Sequence, residues 1–178
     1  DQVERFAMAE FGYRLLTSAG YVAIGFDHFA LPGDPMAKAL AEKRLHRNFQ
    51  GFTDDAAQSL IGLGASAISC FPELLVQNEK NAGRYRMLLS QDILPAVGGI
   101  ARSADDRRRG EVITQLLCHG EARIDADLAR EVAGRIAPFT QRGLADFDGV
   151  RLAIQPDGRP YARTIAALFD PYRQDSVR

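Results

Sequence analysis

Apolar positions at three- and four-residue spacing, Phe6, Ala9, Tyr13 and Leu16, open the chain and predict a helix that Gly20 stops. The short apolar run 21–26 predicts a buried strand of an α/β arrangement, delivering Asp27 and His28 at its C-terminal end. Leu31-Pro32-Gly33 turns the chain, and Asp34 before Pro35 supplies the N-cap and first residue of a helix predicted to reach about His46. Residues 47–53 show no period. The run 60–69 is small and apolar throughout and predicts a second buried strand, in which Gly62 and Gly64 let another group approach the backbone. A helix is predicted over 78–89, with Tyr85, Leu88 and Leu89 facing inward.

The texture changes near 95–103. Ser103 and Asp106 form a capping-box pattern that opens a helix to Gly120, with Val112, Ile113, Leu116 and Leu117 on its apolar face. Asp125 caps a further helix that Pro138 is predicted to close. Residues 144–147, the turn pair Asp148-Gly149 and residues 150–154 read as a β-hairpin. A last helix near Pro160 buries Ile165, Leu168 and Phe169. The order helix, helix, hairpin, helix predicts a small α+β module of winged-helix character from 101 to 178, after an α/β portion over 1–100. The chain opens on Asp1 with a helix at once, which is the expectation for a piece of something larger.

Composition narrows the classes. A 178-residue chain that is 46% apolar can bury a substantial core, and 25% charged residues exclude wholesale disorder. No apolar run approaches the roughly 20 residues of a membrane-spanning helix, so a cytoplasmic protein without membrane contact is expected. Basic and acidic residues nearly cancel, 22 against 23. That balance argues against a dedicated nucleic-acid binder.

The candidate chemistry is sparse. Gly62-x-Gly64 lacks the third glycine of a dinucleotide fingerprint, and there is no phosphate-loop motif. A tightly packed strand is the plainer reading of that pair. His28 can act as acid, base or ligand. Its neighbour Asp27 would face the other side of a strand, so the two form a pair only if the strand has ended. His46 and His119 have no partners at ligand spacing. Cys70 and Cys118 are read as buried thiols, and Arg107-Arg108-Arg109 as a solvated helix face. These residues do not define a reaction by themselves.

Ordered strings point further. Gly20-Tyr21 through Asp27-His28-Phe29-Ala30-Leu31-Pro32, then Arg47-Asn48-Phe49-Gln50-Gly51, then Gly62-Leu63-Gly64-Ala65-Ser66-Ala67-Ile68-Ser69 follow in order, with Gln77-Asn78 and Ser103-Ala104-Asp105-Asp106 after them. Together they resemble the C-terminal part of the oxygen-independent coproporphyrinogen III oxidases, radical S-adenosylmethionine enzymes of haem biosynthesis. Haem-chaperone-like relatives usually carry different residues at Arg47-Asn48-Phe49-Gln50 and at Ala65-Ser66-Ala67-Ile68. Local departures from the oxidase pattern fall at Leu75-Val76 and over 97–103.

The resemblance implies the C-terminal strands and helices of an incomplete radical-SAM (β/α) barrel over 1–100, followed by the helix–hairpin module. It implies an enzyme that converts coproporphyrinogen III to protoporphyrinogen IX, using S-adenosylmethionine, a 4Fe–4S cluster held by a CxxxCxxC motif, and an external electron donor. That motif is not in these 178 residues. The chain alone is therefore expected to be inactive, with no catalytic or metal-ligating residue of its own, and to need the N-terminal barrel half. Phe49, Gln50 and Ile68 match positions that line a second S-adenosylmethionine or substrate pocket, with Gly62, Gly64 and His28 as further candidates. A non-catalytic module that binds a tetrapyrrole or a partner is the alternative.

Overall fold

The computed structural model describes residues 1–173. Packing divides the chain into two units, Asp1–Asp55 together with Arg109 onward, and Ala56–Arg108. These breaks, after Asp55 and Arg108, follow packing and are a different division from the segments 1–100 and 101–178 expected from the sequence. Arg102 N donates to Glu73 O at 2.8 Å and Arg107 Nη1 to Arg102 O at 3.1 Å, so residues 102–107 belong with the strands before them. Residues 174–178 of the expected second domain lie outside the described residues.

In the first unit, α1 (Gln2–Ser18) starts on an Asp1 cap, and Gly20 follows its end at φ +88°. The run 21–26 is not one long strand. β1 (Val22–Ile24) pairs antiparallel with β2 (His28–Ala30), matching Ile24 to His28. Gly25 at φ +60° reverses the chain at once, a conformation side chains resist. Asp34 Oδ1 accepts from Met36 N at 2.8 Å to start α2 (Pro35–Ala41), as expected. The helix stops short of His46 because Lys43 turns left-handed and Arg44 N caps onto Ala39 O at 2.7 Å. The aperiodic stretch after it is a second hairpin, β3 (His46–Arg47) with β4 (Phe52–Thr53).

The capping box forms as read. Ser103 Oγ accepts from Asp106 N at 3.1 Å, Asp106 Oδ2 accepts from Ser103 N at 2.8 Å, and α4 (Ala104–His119) follows. α5 (Ala126–Gln141) starts on Asp125, but Pro138 lies inside it rather than closing it. The helix forfeits one backbone bond there and runs on. β9 (Ala145–Phe147) and β10 (Arg151–Ile154) form the expected hairpin. An unforeseen strand, β8 (Glu121–Arg123), pairs with the other edge of β10, giving the order β8-β10-β9. A 3-10 turn (Pro156–Tyr161), α6 (Ala162–Ala166) and a second 3-10 turn (Ala167–Phe169) complete the unit. Val112, Leu116, Leu128, Val132, Ile136, Leu152, Ile165 and Phe169 fill its main core. Each such side chain contributes about 1.5–3 kcal/mol, so this cluster dominates the unit's stability.

In the second unit, β5 (Ile68–Cys70), β6 (Leu74–Asn78) and β7 (Ala96–Ala101) form an antiparallel sheet in that order. The strand expected over 60–69 survives only at its end. Gly64 (φ +109°) and Ser66 (φ +63°) fold the run into a loop that returns Leu60 beside Cys70. The helix expected over 78–89 is α3 (Ala82–Ser90), capped by Asn81, because Asn78 still belongs to β6. Leu89 is exposed, not inward. Every strand pair in the described residues is antiparallel, and the mixed helix-and-sheet class expected from the sequence holds.

Candidate functional site

The two short hairpins of the first unit bring His28 next to the loop that carries Phe49 and Gln50. Because the strand ends at Ile24, Asp27 and His28 do meet: Asp27 Oδ1 lies 2.6 Å from His28 Nδ1. Phe52 forms the floor. Its ring packs where a Cβ on Gly25 would sit, 2.1 Å from the Phe52 Cζ, so only glycine fits at 25. The His28 ring meets Phe52 edge-on at 5.2 Å, and Phe26 meets it at 5.7 Å. The Arg47 guanidinium lies 5.3 Å from both phenyl rings, and Arg163 lies 5.5 Å from Phe26. Asn48 shapes the loop by accepting from Gln50 N at 2.8 Å while its own N–H donates to Gly51 O at 3.0 Å. Phe49 and Gln50 project from it exposed. Phe26, Arg47 and Phe52 were missed as site residues in the sequence, since residues 47–53 have no period. The recurrence of Phe beside Gly at 25–26 and 51–52 was the available signal.

Gly62, Gly64 and Ile68 lie in the second unit, and there the close approach is internal. A Cβ on Gly62 would stand 2.7 Å from the carbonyl oxygen of Ile68, so the group that approaches the glycine is the chain's own backbone. Side chains hold the rest of the loop. Gly62 N donates to Ser69 Oγ at 3.0 Å and Gly64 N to Tyr85 Oη at 3.1 Å. Asn78 Nδ2 donates to Gly62 O at 3.1 Å and Gly64 O at 3.0 Å. The plainer reading of Gly62-x-Gly64 as packing fits this geometry.

The first unit also has a cavity of about 600 Å³, lined among others by Glu10, Tyr13, His119, Gln155 and Arg159. Arg159 stacks on the Tyr13 ring. Burial, then Lys43 and His46, hold His119 below the usual imidazole range, and its buried Nδ1 has no hydrogen-bond partner among the described residues. Cys118 is buried as expected, and burial pushes its thiol up to about 11. Cys70 is only half-buried. Arg109 is not on a solvated face: it is buried and holds Glu131 through Nη1 at 3.0 Å and Nη2 at 2.5 Å. Arg107 and Arg108 pair with Glu73 and Asp105.

Known proteins supply the class. No protein-family profile matches the chain. In structure, coproporphyrinogen III oxidase from Escherichia coli, a radical SAM enzyme, is similar over 92% of this chain and 40% of its own, with a TM-score of 0.84 and 35% identity. The fold is thus part of a radical SAM fold. In sequence, the oxygen-independent coproporphyrinogen III oxidase of Bradyrhizobium diazoefficiens is 40% identical over 166 residues, 88% of this chain and 37% of the relative. That of Escherichia coli is 36% identical over 175 residues, 92% of this chain and 38% of the relative. The chain spans about two fifths of the length of these curated relatives and matches the C-terminal part of the oxygen-independent coproporphyrinogen III oxidases. The family read from the ordered strings is borne out.

A radical SAM fold implies S-adenosylmethionine and an iron–sulfur cluster. The residues here do not fit the cluster. A buried thiol raised to about 11 is a poor source of thiolate, and among the described residues no group of three His, Cys, Asp or Glu side chains is placed to hold a metal. No helix of the described residues is long and apolar enough to cross a membrane.

Proposed function

We propose that this chain is the C-terminal part of an oxygen-independent coproporphyrinogen III oxidase, a cytoplasmic protein that oxidatively decarboxylates coproporphyrinogen III to protoporphyrinogen IX. The observation that carries the reading is the agreement of sequence and fold over about nine tenths of the chain. The cluster and the electron donor's contact belong to sequence outside these residues. The chain's own contribution is substrate and cofactor binding. Phe49 offers an exposed ring for stacking and Gln50 an amide for hydrogen bonds; Ile68, in the other unit, offers a branched apolar side chain. His28 supports the Phe49–Gln50 loop, while Gly62 and Gly64 shape the one that leads to Ile68.

In the same reading residues 1–100 are the C-terminal portion of the radical SAM barrel and 101 onward a winged-helix-like module. The sheet order β8-β10-β9 beside α4 and α5 supports the second part. The coding sequence upstream of Asp1 tests the proposal. A CxxxCxxC motif at family-like spacing is expected there. Its absence would leave a non-catalytic module and end the enzyme reading.

A further inference from the structure

Phe26 and Phe52 are surrounded by more positive than negative groups. Arg47 and Arg163 lie against them, and neither has a carboxylate partner among the described residues. The Asp27 carboxylate beside them lies 2.6 Å from His28 Nδ1. His28 Nε2 has no hydrogen-bond partner among the described residues, and it lies 3.7 Å from where a Cβ on Gly51 would stand. The free ring nitrogen therefore opens beside the tip of the loop that presents Phe49 and Gln50. The imidazole is not adrift, since Asp27 fixes its tautomer and Phe52 its plane. Nε2, where it carries a proton, and a guanidinium against the same Phe52 ring suit a carboxylate carried on a hydrocarbon arm.

We infer that His28, positioned by Asp27 and assisted by Arg47, binds a propionate carboxylate of the tetrapyrrole. This rests on the reading of the chain as part of a coproporphyrinogen oxidase. Binding needs a proton on each ring nitrogen, Nδ1–H donating to Asp27 and Nε2–H to the propionate. Arg47 supplies the second charge, and its contact with the phenyl rings limits how far the guanidinium wanders. No proton needs to leave the site, and no covalent step is involved.

The test is a fluorescence titration of the full chain with coproporphyrin III, the air-stable aromatic form that carries the same four propionates, and with its tetramethyl ester. The native chain is expected to bind the acid about ten-fold more tightly than the ester. H28F keeps an aromatic ring against Phe52 but removes the donor, and is expected to weaken acid binding about ten-fold while leaving ester binding unchanged. R47Q is expected to do the same to a smaller degree, and H28Q, which restores an N–H, to recover part of the loss. Circular dichroism and thermal unfolding of each variant confirm the fold. Equal binding of acid and ester by the native chain, native affinity in H28F, or no binding of either ligand would overturn the proposal. The outcomes separate the two claims. Native binding by H28F with CxxxCxxC present upstream sinks the propionate site and leaves the enzyme reading intact. Binding that depends on His28, with no such motif upstream, keeps the site and assigns it to a non-catalytic tetrapyrrole module.

Discussion

Residues 109–169 and residues 56–108 are held together by different forces. The first stretch buries Leu116, Leu128, Val132, Ile136, Leu152, Ile165 and Phe169 almost completely. In the second, no Ala, Val, Leu, Ile, Met or Phe is fully buried among the described residues, and two of the buried positions are the polar Ser69 and Asn78. Their side chains hold the backbone of the Gly62-x-Gly64 loop. One region is therefore ordered by removal of apolar surface from water, the other by directed hydrogen bonds on a small sheet. Hydrogen bonds fix a loop's shape without adding much net stability, since water competes for the same groups. The second region also leaves Leu63 87% exposed and Leu94 84% exposed, apolar surface that adds nothing to its own stability.

The largest effect is expected at Phe169, fully buried in the apolar core. F169A should cost about 3–5 kcal/mol in urea unfolding, and a loss below about 1 kcal/mol would remove the core from its central place. N78A comes next. It strips two carbonyls of their donor and should cost about 1–3 kcal/mol, with faster amide exchange at Gly62 and Gly64. N78L should be no better, because shape there depends on the amide and not on burial. G62A drives a Cβ into the Ile68 carbonyl and should cost about 1–3 kcal/mol, whereas G98A, with nothing within 4 Å, should change little. Equal effects of the two glycine changes would contradict the close approach.

The smallest effect concerns charge. Hydrogen bonds from Lys43 at 2.6 Å and from Arg151 Nε at 3.0 Å hold the Glu121 carboxyl down to about 2. A carboxyl depressed by folding stabilises above its unfolded value near 4.5, and that stabilisation is lost as pH falls towards 2. Glu121 is largely solvated, so the contribution is under about 1 kcal/mol. E121Q should therefore narrow its stability gap to the native chain between about pH 4.5 and 2, as measured by urea midpoints. A gap independent of pH would show that the pair contributes nothing through charge.

The same contrast explains what could be read in advance. The helix 104–119, its Ser103–Asp106 box and the Asp148-Gly149 hairpin were legible because apolar burial leaves a period and caps leave a spacing. The loop 60–67 was misread as a strand because Ile61, Leu63 and Ala65 look apolar, while its shape comes from Ser69, Asn78 and Tyr85 at a distance in sequence. β8 and β7 were missed because Glu121-Ala122-Arg123 and the exposed residues 96–101 carry no strand alternation. The Asp27–His28 pair depended on where β1 ends, and Gly25 decided that. Phe49 and Gln50 came from ordered strings shared with a family, which composition alone would not have singled out.

As the proposed C-terminal part of a coproporphyrinogen oxidase, this chain should work in place of a relative's own. Exchanging the matching C-terminal stretch of the Escherichia coli coproporphyrinogen III oxidase for these 178 residues tests it most directly, with anaerobic turnover followed by chromatography of the porphyrin products. Protoporphyrinogen IX is expected from the chimaera and none from the isolated chain under the same conditions. A chimaera that folds and retains its cluster yet leaves coproporphyrinogen III untouched would contradict it.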